Sequence, residues 1–177
     1  MMGSADMPGF PLGKESLMPQ EEKLEVARKK KNLRIAIAKE SKHDENRVAL
    51  APHAVELLVN KGHDVIIEQG AGKSANFSDL MYSEVGALVE KDKKEIYASD
   101  VIVKVAPPSE DEIDLLKGNQ TIFSFFQIGT QNKEIVKKLL SKRVTALGLE
   151  FYRDKRDIQL PIVQSMMEIS GSTSILI

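Results

Sequence analysis

The chain has no cysteine, so no disulfide framework holds it together, and a reducing, cytosolic compartment is the expected home. No apolar run approaches the ~18 residues that a bilayer-spanning helix needs. The start carries no cationic stretch leading into a long apolar run, so no secretory signal is expected. Neither sign of charge dominates: 25 Lys and Arg stand against 26 Asp and Glu. A nucleic-acid partner calls for a basic excess, and none exists. The histidines are His43, His53 and His63, and none has metal-ligand spacing to a second His or Cys. No metal is expected, and no Ser-His-Asp nucleophile system is recognisable.

Glycine-rich nucleotide loops are also missing. Gly70-Ala-Gly-Lys-Ser74 looks like a phosphate loop, but Ile67 stands where that pattern requires its first glycine. Gly70, Gly72 and Ala75 match the spacing of a dinucleotide fingerprint without a helix start behind them. A tight turn is the better reading.

What is present is a regular alternation of short apolar strands and amphipathic helices. Strands are expected at Leu33–Ala38, Asp64–Glu68, Val101–Val105, Thr121–Phe126 and Val144–Leu149, with a brief extended piece at Ile158–Val163. Helices are expected at Pro52–Asn60, Ser78–Val85, Lys91–Ala98, Glu110–Leu116 and Gln131–Ser141. Gly62 closes the first of them, and Ser109 with Glu112 forms a capping-box pattern. Strands apolar on both sides belong to a parallel sheet covered by helices. The expected fold is therefore α/β, a doubly wound, mostly parallel sheet, Rossmann-like but without the dinucleotide fingerprint. Residues 1–31 read as a loose arm and a short charged helix, 32–165 as the α/β domain, and 166–177 as the start of a helix cut before its end.

Ligands of such sheets sit beyond the carboxyl ends of the strands. Arg47 lies in one such loop and either clamps a carboxylate through paired hydrogen bonds or forms a salt bridge to Glu45 or Asp44. Lys104 interrupts an apolar strand; it is either ion-paired, with Glu150 a candidate partner, or reaches solvent along its stem. His43 shares the Arg47 loop. Gln127 ends the fourth expected strand and can donate or accept a hydrogen bond but takes no proton at neutral pH. Phe123, Phe125 and Phe126 read as core fillers.

The segments KES…ENRVALAP, NKGHDVIIEQGAG with Phe77-Ser-Asp79 behind it, SDVIVKVAPP and MMEISG resemble the N-terminal domain of the alanine dehydrogenase and nicotinamide nucleotide transhydrogenase family. The resemblance runs in order over about residues 33 to 177. It implies an NAD- or NADP-linked oxidoreductase. NAD would be bound mainly by a second, C-terminal domain outside this chain, and the whole would be a homo-oligomer. In the dehydrogenase branch Arg47 matches the arginine that holds the substrate carboxylate. Lys104 matches the first lysine of a KVKEP-like segment, while Ala106 replaces the second. Gln127 stands where that branch has its acid/base histidine. Catalysis then falls to Lys104 and Gln127, and binding of a small carboxylate to Arg47 and His43. The transhydrogenase branch has an arginine pair matched by Arg153 and Arg156, which makes Arg153 a cofactor contact and implies a membrane subunit as partner. Ile158 and Pro161 depart from that branch's pattern. The expected function is oxidative deamination of a small amino acid, or its reverse. The alternatives are the NAD-side domain of a transhydrogenase and a catalytically inactive nucleotide-binding or regulatory domain.

Overall fold

The structure is a computed structural model that describes residues 32–42, 44–127, 129, 133–153 and 160–174. All of them belong to one compact unit, Asn32–Ile177. Strands β1 (Arg34–Ile37), β2 (Asp64–Glu68), β3 (Leu88–Glu90), β4 (Val101–Val103), β5 (Thr121–Ser124) and β6 (Thr145–Gly148) form one sheet. Its order is β3-β2-β1-β4-β5-β6 and every pairing is parallel. The helices are α1 (Pro52–Asn60), α2 (Asp79–Glu84), α3 (Lys93–Tyr97), α4 (Glu110–Asp114), α5 (Lys133–Ser141) and α6 (Pro161–Ser174).

Alternation along each strand sends side chains to opposite faces. Ala36, Ile66, Ile102 and Ile122 meet Ile96 and Tyr97 of α3, Ile113 of α4 and Leu139 of α5. On the other face Ile37, Val65 and Ile67 meet Val55 of α1 and Tyr82 of α2. Among the described residues that second face is covered over β1–β3. Its β5–β6 half exposes Leu147, Phe151 and Tyr152, and among the described residues only α6 approaches it, through Ile162.

The local signals behind these elements are visible. Pro52 sits in the first turn of α1, where its missing N–H costs nothing, and Gly62 ends that helix region at φ 86°. Ser78 caps α2 through the Met81 N–H, and Ser109 caps α4 in a complete capping box.

Several expectations need correction. Leu88–Glu90 is a strand that the sequence reading missed, because three residues on an edge show too little alternation to register. The expected extended piece at Ile158–Val163 is already helical from Pro161, with the proline in the first turn. Residues 158 and 159 lie outside the described residues. The helix expected from Met166 thus begins at Pro161. Phe126 is buried in the core as expected, but Phe123 and Phe125 are only half-buried and line clefts.

Candidate active site

The strand order reverses direction between β1 and β4, and in sheets of this kind ligands bind beyond the carboxyl ends at that point. The loops after these strands carry Arg47 and Lys104. The loops after β5 and β6 add Gln127 and Glu150.

Carboxylates tie these exits together sideways. Glu68 at the end of β2 accepts from the Lys39 N–H at 2.9 Å. Glu40, after β1, accepts from the N–H groups of Val105 at 2.6 Å and Ala106 at 3.2 Å. Glu150, after β6, accepts from Gln127 at 2.8 Å and Phe126 at 3.3 Å. Backbone donors at strand ends would otherwise be orphaned, and each carboxylate satisfies them with a charge-assisted bond. The rim is thereby held in one geometry.

Lys104 ends at the bottom of this rim. Its side chain is completely buried, and Nζ donates to Glu112 Oε2 at 2.7 Å, with Glu40 Oε2 at 4.0 Å. The same Glu112 oxygen accepts from the Ser109 N–H of the capping box. Burial by itself would raise the Glu112 pKa, but the Lys104 ammonium and these hydrogen bonds outweigh it and hold the group low. For Glu40 the balance falls the other way: burial raises its pKa against the backbone N–H groups and Lys104. The Tyr97 hydroxyl is buried beside this cluster, and burial and the Glu112 charge push its pKa up. The partner of Lys104 is thus Glu112 rather than Glu150, whose oxygens serve the β5 exit instead. Its ammonium faces the interior.

Arg47 stays at the surface. Nε donates to Glu45 Oε1 at 2.8 Å and Nη2 to Glu45 Oε2 at 2.6 Å, a side-on fork. Nη1 points to Met166 Sδ of α6 at 3.8 Å. The Arg47 hydrogen bond holds Glu45 below the usual carboxylate range, and the same bond raises the guanidinium. Of the two expected arrangements for Arg47, the structure shows the salt bridge to Glu45, a carboxylate held by two parallel bonds.

Gln127 lines a cleft of about 400 Å³ with Phe125, Glu150, Val163, Met166 and Met167. Its backbone is left-handed at φ 47°, fixed by the Glu150 bond to its N–H. Met166 thus touches both neighbourhoods: it meets the Arg47 guanidinium and lines the cleft with Gln127. Arg153 is exposed at the edge of the described residues, and His43 and Arg156 lie outside them. Sequence reasoning missed Glu40 and Met166 as rim residues. Glu40 follows a buried strand directly, which was the available signal.

The Gly70 turn does not fit a dinucleotide. The Gly70 N–H is taken by the Asp79 carboxylate at 2.8 Å, an anion where a phosphate would need to sit. A Cβ at Gly72 would lie 2.7 Å from Tyr82 Cε2 and 2.8 Å from the Phe77 carbonyl, so this glycine serves the domain's own packing. Among the described residues no helix is long and apolar enough to cross a membrane.

Residues 36–170 match the profile of the family described as alanine dehydrogenase/PNT, N-terminal domain. An alanine dehydrogenase of Staphylococcus saprophyticus is 34% identical over 140 residues, 79% of this chain and 37% of the relative. One from Methanococcus maripaludis is 36% identical over 142 residues, 80% of this chain and 38% of the relative. Among solved structures, an L-alanine dehydrogenase superposes with a TM-score of 0.77 at 33% identity, covering 81% of this chain and 39% of that one. A transhydrogenase from Sinorhizobium meliloti gives 0.64 at 31%, covering 70% and 37%. The chain spans well under half the length of the curated relatives it matches.

Proposed function

Since the chain belongs to the alanine dehydrogenase/PNT family through its N-terminal domain, we propose that it forms the substrate side of an NAD-linked oxidoreductase that deaminates a small amino acid or aminates the matching 2-oxo acid. The observation that carries this reading is Arg47. It lies in the loop beyond the carboxyl end of β1, and its planar fork, paired there with Glu45, is the group that binds carboxylates at two points. A substrate carboxylate would take the Nη1 side of the guanidinium, the side turned toward Met166.

The dinucleotide would be held by sequence beyond this chain and would supply the redox chemistry; the glycine turn of this domain does not accommodate it. The domain's contribution is orientation and electrostatics. Glu40 fixes the Ala106 segment and Glu150 fixes Gln127, so little ordering of these two exits is left to be done when substrate arrives. Lys104 acts from beneath: it neutralises Glu112 and stands near Glu40, which holds the Ala106 segment. Gln127 would donate to the substrate rather than exchange a proton with it.

A second reading, the NAD-side domain of a transhydrogenase, draws on the 31% identity to the Sinorhizobium meliloti structure and on Ala106 and Gln127. Hydride exchange between two nicotinamides needs no acid/base group on a substrate. The full-length protein separates the two in one paired assay. NADH oxidation with pyruvate plus ammonia supports the dehydrogenase; oxidation only with a second nicotinamide rejects it.

A further inference from the structure

Glu40 follows β1, yet both of its oxygens serve the exit of β4. Oε1 accepts from the Val105 N–H at 2.6 Å and Oε2 from the Ala106 N–H at 3.2 Å. Two consecutive N–H groups on one carboxylate fix the direction of the chain as well as its distance. The carboxylate is only 5% exposed, and the fully buried Lys104 ammonium lies 4.0 Å from the same Oε2 and 2.7 Å from Glu112. We propose that Glu40 is a positioning residue: its ionised carboxylate clasps the turn after β4 to the exit of β1, and Lys104, shared between Glu112 and Glu40, is the counter-charge that keeps the clasp closed. The clasp itself does not depend on the dehydrogenase reading above; its effect on turnover rests on that reading.

The clasp needs the charge. A neutral carboxyl keeps one oxygen as an acceptor and turns the other into a donor. The shorter bond keeps Oε1 on Val105, so the proton goes to Oε2. There an O–H faces the Ala106 N–H, donor against donor, and the Ala106 arm opens. The groups around Glu40 set when this happens. Burial favours the neutral form and outweighs the Val105 N–H, Lys104 and the Ala106 N–H, while Glu45 adds a like charge. Arg47 and Tyr97 of α3 also feel the Glu40 charge, and Glu112 competes for the ammonium from α4. Glu68 of β2 takes the neighbouring Lys39 N–H. The clasp therefore opens above the ordinary carboxylate range, nearer to neutral pH than an exposed glutamate would.

The test follows the amide resonances of Val105 and Ala106 in the full-length protein, isotopically labelled at valine and alanine, from acid to neutral pH. Turnover of pyruvate with NADH and ammonia is measured alongside. The Ala106 resonance should titrate with a midpoint above the ordinary carboxylate value and stay flat in Glu40→Gln. The midpoint should move down in Glu112→Gln, which releases Lys104 to Glu40, and up in Lys104→Met. Glu45→Gln removes a like charge and should also move it down; Glu45 lies outside the buried cluster, so this variant tests the clasp even where the other two fail to fold. In Glu40→Gln kcat should fall about 10- to 100-fold with KM for NADH nearly unchanged, as for a displaced positioning group. The acid limb of wild-type kcat should share the Ala106 midpoint. An Ala106 resonance that does not titrate, one that titrates equally in Glu40→Gln, or a midpoint unmoved by Glu45→Gln overturns the clasp. Unchanged kcat in Glu40→Gln overturns the positioning role. The expected titration in a protein that turns over no 2-oxo acid leaves the clasp standing and removes the dehydrogenase reading.

Discussion

Lys104 and Glu112 form a buried ion pair 2.7 Å long, and the carboxylate oxygen that closes it also closes the capping box of α4. One glutamate thus fixes a helix start and neutralises a lysine at the end of β4. Removing either partner strands the other charge in the interior, which costs about 3–5 kcal/mol. Lys104→Met and Glu112→Gln should each lower the melting temperature sharply. The double variant Lys104→Met/Glu112→Gln should lose clearly less than the sum of the two single losses, because it leaves neither member of the pair as an uncompensated buried charge. Additive losses in a double-mutant cycle would show that the pair is not coupled.

Acid should weaken the domain through Glu45 and Glu112. Both have folded pKa values held below the usual carboxylate value, Glu45 by its Arg47 hydrogen bond and Glu112 by Lys104 acting against burial. A lowered folded pKa gives stability that is present above the unfolded pKa and lost as pH falls through the folded one. Glu40 has the opposite sign. Its raised pKa gives stability that is present below the unfolded value and lost as pH rises through the folded one. Melting curves from acid to neutral pH should therefore show a loss below the ordinary carboxylate range that shrinks in Glu45→Gln. An acid limb of unchanged size in that variant contradicts the assignment.

Gly72→Ala should destabilise by about 1–3 kcal/mol, since its Cβ meets a backbone carbonyl and a buried ring with no room to shift. Gly70→Ala tests a different cause: its surroundings are open, but its φ of 72° penalises any side chain. Urea denaturation of both variants should place Gly72→Ala as the larger loss.

The fold was largely legible. Central strands were apolar on both faces, Gly62 stopped α1 in a left-handed turn, and Ser109 announced α4. Pro52–Asn60 and Asp64–Glu68 matched at both ends, while strands such as Val101–Val105 and Thr121–Phe126 were expected two residues too long because apolar residues continue past the paired segment. Edge strand β3 was invisible for want of length. The site was legible in part. Gln127 lines a cleft at the end of β5, and Arg47 forms the Glu45 salt bridge that its loop allowed. Spacing could not reveal that Lys104 turns inward, since inward and outward rotamers share one position in sequence. Its partner was in view as a cap residue eight positions on, read for one role only. Glu150 drew attention as a charge and acts as an acceptor for backbone N–H groups.

Gln127→His offers a gain-of-function test. Histidine tolerates the left-handed backbone better than most side chains, so the φ of 47° does not forbid it. A positioned histidine can move protons where glutamine cannot, an effect of about 10²–10⁴-fold in favourable sites. The variant should raise kcat with the 2-oxo acid and add a titration near neutral pH. An unchanged pH profile would show that this position does not face the reacting atoms.

The most direct measurement is the steady-state kinetics of Arg47→Ala in the full-length protein, varying 2-oxo acid and NADH separately. Loss of a charge-assisted carboxylate contact corresponds to ~1.5–3 kcal/mol, so KM for the acid should rise roughly 10- to 150-fold while KM for NADH stays nearly constant. Equal weakening of both substrates would contradict the account.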